Sequence, residues 1–568
     1  MDNMLLQQRD LKQPLQQYEY LGSTTLARIL SARDVATDQL DLQLRSLLQP
    51  DLKGLTQAIT LIDQAIDAQQ QILIVGDYDV DGATSTALMI LALQQMGALV
   101  HYIVPDRFKY GYGLTPAIAD LAHERYQPDL LITVDNGISS HAGVDRCHAL
   151  DMQVIVTDHH LTTKATPDAE AVVNPNQLGC NFASKSLAGV GVAFYVLASL
   201  ASHRQKQGKT SCKLSHYLDL VALGTVADVA KLDFNNRILV QAGLKKIREG
   251  QCRAGILALL DLAGKNPLQL QAQDFGFVLG PRINAAGRMD SMQIGIECLL
   301  AENLQQAFPL AYQLDQLNLE RRQVERGMRE QAFDYLEQVQ LDGEQLPQAI
   351  VLFEPEWHQG VIGIVAGRLK EHFHRPSIVF ALDEDGQHLK GSARSIEGIH
   401  IRDSIEAVAQ QQSDLVKFFG GHAAAAGLTI EKEKFTQFQQ CFIAQIQHYH
   451  PDIFHSKLLT DGALAENEFN LDFLEKIQNL GPWGQGFEAP VFDGIFDVMD
   501  YQWLKDIHLK LTLKLPSHQI VSAIGFNYLE KLNDTRISSK IRLAFTLEKN
   551  EFRQQSQLQL RILFLQNL

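Results

Sequence analysis

The 568-residue chain has no paired cysteines: its six, Cys147, Cys180, Cys212, Cys252, Cys298 and Cys441, are scattered without a C-x-x-C spacing. That excludes a disulfide scaffold and a zinc site built on cysteine pairs, and it implies a reducing compartment. There is no apolar run of 18 residues, which argues against a membrane-spanning helix. The N-terminus, Met1-Asp2-Asn3-Met4-Leu5-Leu6-Gln7, carries an early acid and no long apolar core, so it does not read as a signal peptide. The expected location is therefore the cytoplasm. A positive total charge is also lacking, since Lys+Arg are 50 against 66 Asp+Glu, a net −16. That balance weighs against uniform attraction to nucleic acid but does not exclude a locally basic groove. One acid-free basic stretch, His203, Arg204, Lys206, Lys209 and Lys213, reads as a solvated loop or helix face. Hydrophobic residues at 46% and charged residues at 20% are those of a globular chain. The length fits three or four domains.

Organisation changes along the chain. Residues 1–65 read as polar and helical. Four short β-branched runs follow, Gln71–Val75, Leu99–Val104, Leu130–Val134 and Val154–Val156, with helical stretches at Ala83–Met96, Pro116–Glu124 and Ser140–Leu150. Strands alternating with helices predict a parallel, doubly wound α/β sheet. Helices are expected at Tyr195–Ser202, Leu214–Val226 and Asn236–Glu249. From Ala301 to Leu341 the composition is Gln/Glu/Arg-rich and almost free of Gly and Pro, which predicts a long linking helix. A second, smaller α/β domain is expected from Ala349 to about Tyr449. The tail alternates strictly at His508–Leu515, and with Gln519–Phe526, Ile541–Leu547 and Leu558–Leu565 it predicts a small β-barrel or sandwich.

The chemistry-bearing signals stand at predicted strand ends. Val75-Gly76-Asp77-Tyr78-Asp79-Val80-Asp81-Gly82 places three alternating carboxylates between a strand and a helix. A calcium loop would require a bidentate Glu where Leu88 stands, which excludes an EF-hand. Val134-Asp135-Asn136-Gly137 and Val156-Thr157-Asp158-His159-His160 add an acid, then an acid with two imidazoles. Asp228 stands near the end of a predicted helix. Each acid taken alone reads as a cap or turn residue. Together, acids at neighbouring strand ends converge by geometry. Mixed carboxylate and imidazole donors suit Mn²⁺, Fe²⁺ or Zn²⁺, in number enough for two ions. Gly280 to Arg288 offers Arg282, Asn284 and Arg288 to phosphate oxygens, or is a glycine-punctuated turn with surface arginines. Gly391–Ser395 and the pair Gly420-Gly421, taken as opening an Ala-rich helix, offer a second anion site.

These segments resemble the DHH phosphoesterase superfamily at Asp77–Gly82, Asp135, Asp158-His159-His160 and Asp228. Trp357–Ala366, Gly391–Ser395 and Gly420–Gly427 resemble its accompanying DHHA1 domain. The order and content, over about residues 60–565, are similar to the RecJ family of single-stranded-DNA-specific exonucleases, and Leu480–Phe487 fits the OB-fold region of that family. The resemblance implies a parallel-sheet DHH domain with an N-terminal helical extension (1–300), a linker helix (301–345), a DHHA1 domain (346–462) and an OB-fold-like β-barrel (463–568). It implies 5′→3′ hydrolysis of single-stranded DNA to 5′-mononucleotides by two Mn²⁺ or Mg²⁺ ions, in recombination and repair. The implied metal ligands are Asp77, Asp79, Asp81, Asp135, His159 and Asp228, with Asp135 bridging and Asp77 a ligand or a group behind one. Asp158 orients the histidines, and His160 faces the scissile phosphate. Arg282, Asn284, Arg288, Ser392, Arg394, Gly420, Gly421 and His422 hold phosphates, and Arg107 lines the channel with the segment through Gly113. Single-strand-binding protein and a RecQ-type helicase are the implied partners of a monomer. The alternative is a smaller-substrate phosphodiesterase of the same superfamily, cutting short oligonucleotides or cyclic dinucleotides.

Overall fold

The computed structural model describes residues 4–105, 110–162, 165–341, 346–529, 536–552 and 555–568. They form two compact units, Gln8–Asn318 with Thr460–Leu568, and Leu319–Leu459 with the N-terminal residues through Gln7.

In the larger unit, β1 (Gln71–Gly76), β2 (Leu99–Ile103), β3 (Leu130–Val134), β4 (Gln153–Thr157) and β5 (Ala171–Val173) form a wholly parallel sheet in the order β2-β1-β3-β4-β5. The central strands β1, β3 and β4 are buried almost throughout because both faces are covered, whereas the edge strand β2 leaves Leu99 and His101 exposed. Ile72, Ile74, Leu130, Ile132 and Ile155 belong to one core, while Leu73, Val75, Leu131, Val154 and Val156 belong to the other. Helix α1 (Val80–Gln95) is buried nearly all round, because α2 (Gly189–Lys206) and α3 (Leu218–Ala227) pack on it. Gly224 of α3 makes this close approach possible, since a Cβ there would meet Val190 and Asp81 at 2.8 and 2.9 Å.

The expected helix at Tyr195–Ser202 is α2, which starts earlier, at Gly189; its two glycines mark close packing and not a helix boundary. The N-terminal region is only partly helical, with a strand Leu5–Gln8 before helices Thr24–Ala32 and Leu55–Asp67. Residues 280–288, weighed as a turn, form helix α4 (Gly280–Met289). The basic stretch is not a free face: Arg204 is buried and bonds Asp63 and Asp67, and Lys209 Nζ lies 2.7 and 2.6 Å from the same two carboxylates.

The linking helix runs over Leu304–Leu341. In the smaller unit, β6 (Ile350–Phe353), β7 (Ser377–Leu382), β8 (His388–Arg394), β9 (Phe418–Gly421) and β10 (Ala425–Glu431) form a sheet in the order β9-β10-β8-β7-β6, with only β6 and β7 parallel. Here the sequence expectation fails. Gly420-Gly421 ends a strand and the alanines begin β10, so no helix opens there. Gly421 has φ +143°, and a Cβ on it would stand 2.5 Å from Ala426 Cα, so the tight hairpin requires glycine.

The C-terminal region of the larger unit is a closed barrel of β11 (Phe492–Leu504), β12 (His508–Lys514), β13 (Ile520–Gly525), β14 (Lys540–Phe552) and β15 (Gln555–Asn567), in the order β11-β12-β13-β15-β14. The alternating Leu509, Leu511 and Leu513 fill its interior. Leu26 and Ile29 of helix Thr24–Ala32 join the same core. Beside them Arg33 and Asp461 form an ion pair at 2.6 Å with side chains 2% and 0% exposed. Removing one partner strands the other charge, so Arg33→Ala is expected to cost about 3–5 kcal/mol. A lowered thermal midpoint of the full chain reads it out, and an unchanged midpoint contradicts the pair's role. No helix among the described residues is long and apolar enough to cross a membrane.

Candidate active site

The sheet register builds the site. Gly76 of β1 pairs with Val134 of β3, and Val134 pairs with Thr157 of β4. The next residue on each strand is an aspartate, so Asp77, Asp135 and Asp158 emerge side by side at the carboxyl edge, where open α/β sheets bind ligands. The backbone is shaped for this. Asp135 sits at φ +62° with its amide bonded to Thr157 O (3.1 Å). Asp79 caps α1, its Oδ1 accepting from Gly82 N at 3.0 Å. Asp81, in the first turn of α1, is seized by the N-terminus of α2: Oδ2 accepts from Gly189 N (2.6 Å) and Oδ1 from Val190 N (2.9 Å). Asp228 stands at the C-terminus of α3.

Three groups of donor atoms lie within ligand reach of one another: Asp77, Asp79 and Asp135; Asp81, His159 and Asp228; Asp135, His159 and His160. Asp135 and His159 recur among them. His159 Nε2 lies 3.0 Å from Asp135 Oδ1, 3.8 Å from Asp228 Oδ2 and 3.9 Å from Asp81 Oδ2. Asp135 Oδ1 and His159 Nε2 are both buried, and neither makes a hydrogen bond. Two buried, unsatisfied lone-pair donors facing one another are what a cation between them would complete.

The electrostatics agree. Burial, then the charge of Asp79, pushes Asp77 well up and Asp81 to about 7. Burial, then Asp81, raises Asp135 and Asp228 well above the carboxylate range. Burial and neighbouring His160 bring His159 down to about 4, leaving a neutral imidazole with a free lone pair. Carboxylates crowded this way repel until a cation neutralises them. The donor set therefore fits Mn²⁺ or Mg²⁺ in a pair.

Asp158 does something different. Its Oδ1 accepts from His159 N (2.7 Å), His160 N (3.1 Å) and His160 Nδ1 (2.7 Å), and its Oδ2 from Ile138 N (2.8 Å). Burial alone would raise its pKa, but the bond and charge of His160 hold it low. In return, against its own burial, His160 is pushed up to about 9 by Asp158. His160 is more open than His159, and Tyr112 Oη lies 3.2 Å from its Nε2. Asp158→Ala is expected to leave three amides without an acceptor, at about 1–3 kcal/mol each. The midpoint of denaturant unfolding should fall markedly, and Asp158→Asn should recover part of it. A midpoint equal to the parent's would contradict this role.

The remaining phosphate candidates separate by unit. Helix α4 lies on the acidic loop: Asn284 Oδ1 accepts from Val80 N (3.1 Å), and Gly287 leaves no room for a Cβ against Tyr78 O. Arg282 is turned to Asp315, Nε to Oδ1 at 2.8 Å, and to Val278 O. Arg288 shares that helix and is half-buried. In the smaller unit, Arg394 on β8 donates to Ser392 Oγ (3.1 Å) and Ala393 O (2.8 Å), with burial lowering its pKa. Gly420 and Gly421 end β9, and His422 N closes the hairpin on Ala425 O (2.8 Å). Arg107 lies outside the described residues.

Sequence reasoning missed the groups that brace the histidine turn from behind. Asn174 Nδ2 donates to His160 O (3.0 Å) and Asn176 Nδ2 to His159 O (2.6 Å). Asn174-Pro175-Asn176 directly after a strand was the available signal. Gly189 was missed as well.

Comparisons with known proteins match three stretches of the chain. Residues 71–225 match the DHH family, N-terminal domain; 346–448 match the DHHA1 domain; 460–563 match the RecJ OB domain. The single-stranded-DNA-specific exonuclease RecJ of Haemophilus influenzae is 46% identical over 94% of this chain and 95% of its own. The Thermus thermophilus RecJ structure with Mn²⁺ superposes at TM-score 0.83 with 28% identity, covering 100% of this chain and 80% of that one. The same protein with Mg²⁺ gives 0.78 and 27%, covering 100% and 79%. With these domains in this order, and the acidic strand ends in register, the chain belongs to the RecJ family of single-stranded-DNA-specific exonucleases.

Proposed function

We propose that this chain hydrolyses single-stranded DNA from the 5′ end and releases 5′-mononucleotides, in DNA recombination and repair. The observation that carries the proposal is the facing pair of unsatisfied donors, Asp135 Oδ1 and His159 Nε2, amid the carboxylates of adjacent strand ends. Asp77, Asp79, Asp81, Asp135, His159 and Asp228 would hold two Mn²⁺ or Mg²⁺ ions, with Asp135 shared. Bound there, the ions supply an acidified water and charge neutralisation at phosphorus and at the leaving oxygen.

The chain's own groups supply the rest. Asp158 fixes the His160 ring and favours its protonated form, which turns the imidazole toward the scissile phosphate as a hydrogen-bond donor. Asn284 holds the Val80 amide and so the start of the helix that carries Asp81. Arg282 and Arg288 on the same helix, and Ser392, Arg394, Gly420, Gly421 and His422 in the smaller unit, are the proposed phosphate contacts. Support for single-strand-binding protein and a RecQ-type helicase as partners comes from the family resemblance; the scattered, unpaired cysteines support a cytoplasmic location, and a monomer is the default reading.

The test uses one single strand labelled at its 5′ end, another at its 3′ end, a blunt duplex and a dinucleotide, each with Mn²⁺ or EDTA. The 5′ label should leave first as a mononucleotide, the duplex should resist, and EDTA should stop all loss. First release of the 3′ label, or survival of long strands while a dinucleotide is cut, would overturn the proposal.

A further inference from the structure

The chain that follows Asp228 is held by the C-terminal region. Helix α3 ends at Asp228, and Val229 turns back at φ +59°, a conformation costly for a β-branched residue. Three residues on, the buried Leu232 donates its amide to Gln485 O at 2.8 Å. Gln485 belongs to a tight turn closed in both directions, Gly484 N to Phe487 O (3.0 Å) and Phe487 N to Gly484 O (3.1 Å). Two glycines allow the contact. A Cβ on Gly484 would lie 2.7 Å from Leu232 Cδ1, and one on Gly486, at φ +70°, 2.5 Å from Lys231 Cγ.

A four-layer stack clamps the turn. The Arg237 guanidinium lies 3.9 Å from the Phe487 ring centre. Phe487 stacks on Trp483 at 4.7 Å and 9°, and Arg33 lies 5.4 Å from the Trp483 ring. Phe487 belongs to the core of the helices around the acidic site and not to the core of the barrel. Phe487 therefore grips the segment behind Asp228, while Trp483 packs against both the helical core and the barrel core and ties the turn to the C-terminal region.

We propose that the turn Gly484–Phe487, with Trp483 and Arg237, is a positioning element for Asp228 and sets the affinity of the ion position formed by Asp81, His159 and Asp228. The inference rests on Asp228 being an ion ligand, as proposed above. The strain at Val229 would relax if Leu232 lost its hold, carrying the Asp228 carboxylate away from His159 Nε2, now 3.8 Å distant. Groups one step behind a ligand typically change metal affinity by about 10- to 100-fold.

The experiment is Mn²⁺ binding by calorimetry on the full chain, with binding of a labelled single strand measured separately in Ca²⁺. Parent, Asp228→Asn, Phe487→Ala and Gly486→Ala are compared, with Trp483→Phe as the conservative variant. Phe487→Ala and Gly486→Ala should weaken one Mn²⁺ position about 10-fold or more, leave the other unchanged and bind the strand as the parent does. Activity should return at high Mn²⁺, and Trp483→Phe should stay close to the parent. If Phe487→Ala does not fold, Gly486→Ala decides alone, because it disturbs the contact without opening the core. Parent-like Mn²⁺ affinity in the folded variants, or weakened strand binding with intact Mn²⁺ binding, overturns the proposal. Two intact Mn²⁺ positions in Asp228→Asn would instead sink the ligand assignment.

Discussion

Asp135→Asn is expected to abolish strand cleavage while making the metal-free protein more stable. Asparagine tolerates the left-handed backbone at φ +62°, so the substitution removes charge with little strain. It takes away the one carboxylate that stands in two of the donor groups and faces His159 Nε2 at 3.0 Å. An ion's charge stabilisation is worth several kcal/mol, so a loss of about 10³–10⁴-fold in kcat is expected. Stability moves the other way, because in EDTA the parent buries a carboxylate held far above its usual range by burial and Asp81. Asn removes part of that repulsion, and the thermal midpoint in EDTA should rise by about 2–4 °C. A variant that loses both activity and metal-free stability would mean that Asp135 is structural.

The second large effect comes from a residue with no side chain. A Cβ on Gly189 would lie 2.6 Å from Asp135 Cβ and 2.7 Å from its Oδ1. The Gly189 amide also donates to Asp81 Oδ2. Gly189→Ala therefore pushes one carboxylate aside and disturbs the hold on another. A displacement of about 1 Å can cost 10²-fold, and two ligands are involved, so kcat should fall about 10²–10³-fold. The fold should survive, because alanine favours the helical backbone at this position. Single-turnover rates with far-ultraviolet circular dichroism would check this; parent-like rates would show that the site yields more freely than the close contacts imply.

The two predictions differ in how visible their residues are in the sequence. Asp135 follows the run Leu130-Leu131-Ile132-Thr133-Val134, whose length and β-branching place it at the edge of a buried strand. The same logic finds Asp77 and Asp158, since parallel strands of one sheet must align their ends. Gly189 is invisible to it: nothing in Leu187-Ala188-Gly189-Val190 reports that Asp135 lies against it, because that contact joins segments over fifty residues apart. Asn174 and Asn176 were passed over for a related reason, as their partners are backbone carbonyls, which leave no trace in side-chain pattern. Strand β11 escaped because Asp493, Gly494, Asp497 and Asp500 break its alternation, and a bulge lies between Val498 and Asp500. The Gly420-Gly421 pair misled in the opposite direction. Glycines before alanines suit a helix start as well as a hairpin, and only pairing of β10 with β8 decides between them.

The central claim is that Asp135 is shared between two ions. Anomalous diffraction at the manganese edge from Mn²⁺-soaked crystals tests it most directly. The account predicts two peaks about 3.5–4 Å apart, both within bonding distance of Asp135, one beside Asp77 and Asp79 and the other beside Asp81, His159 and Asp228. A single peak, or two that do not share Asp135, would contradict it.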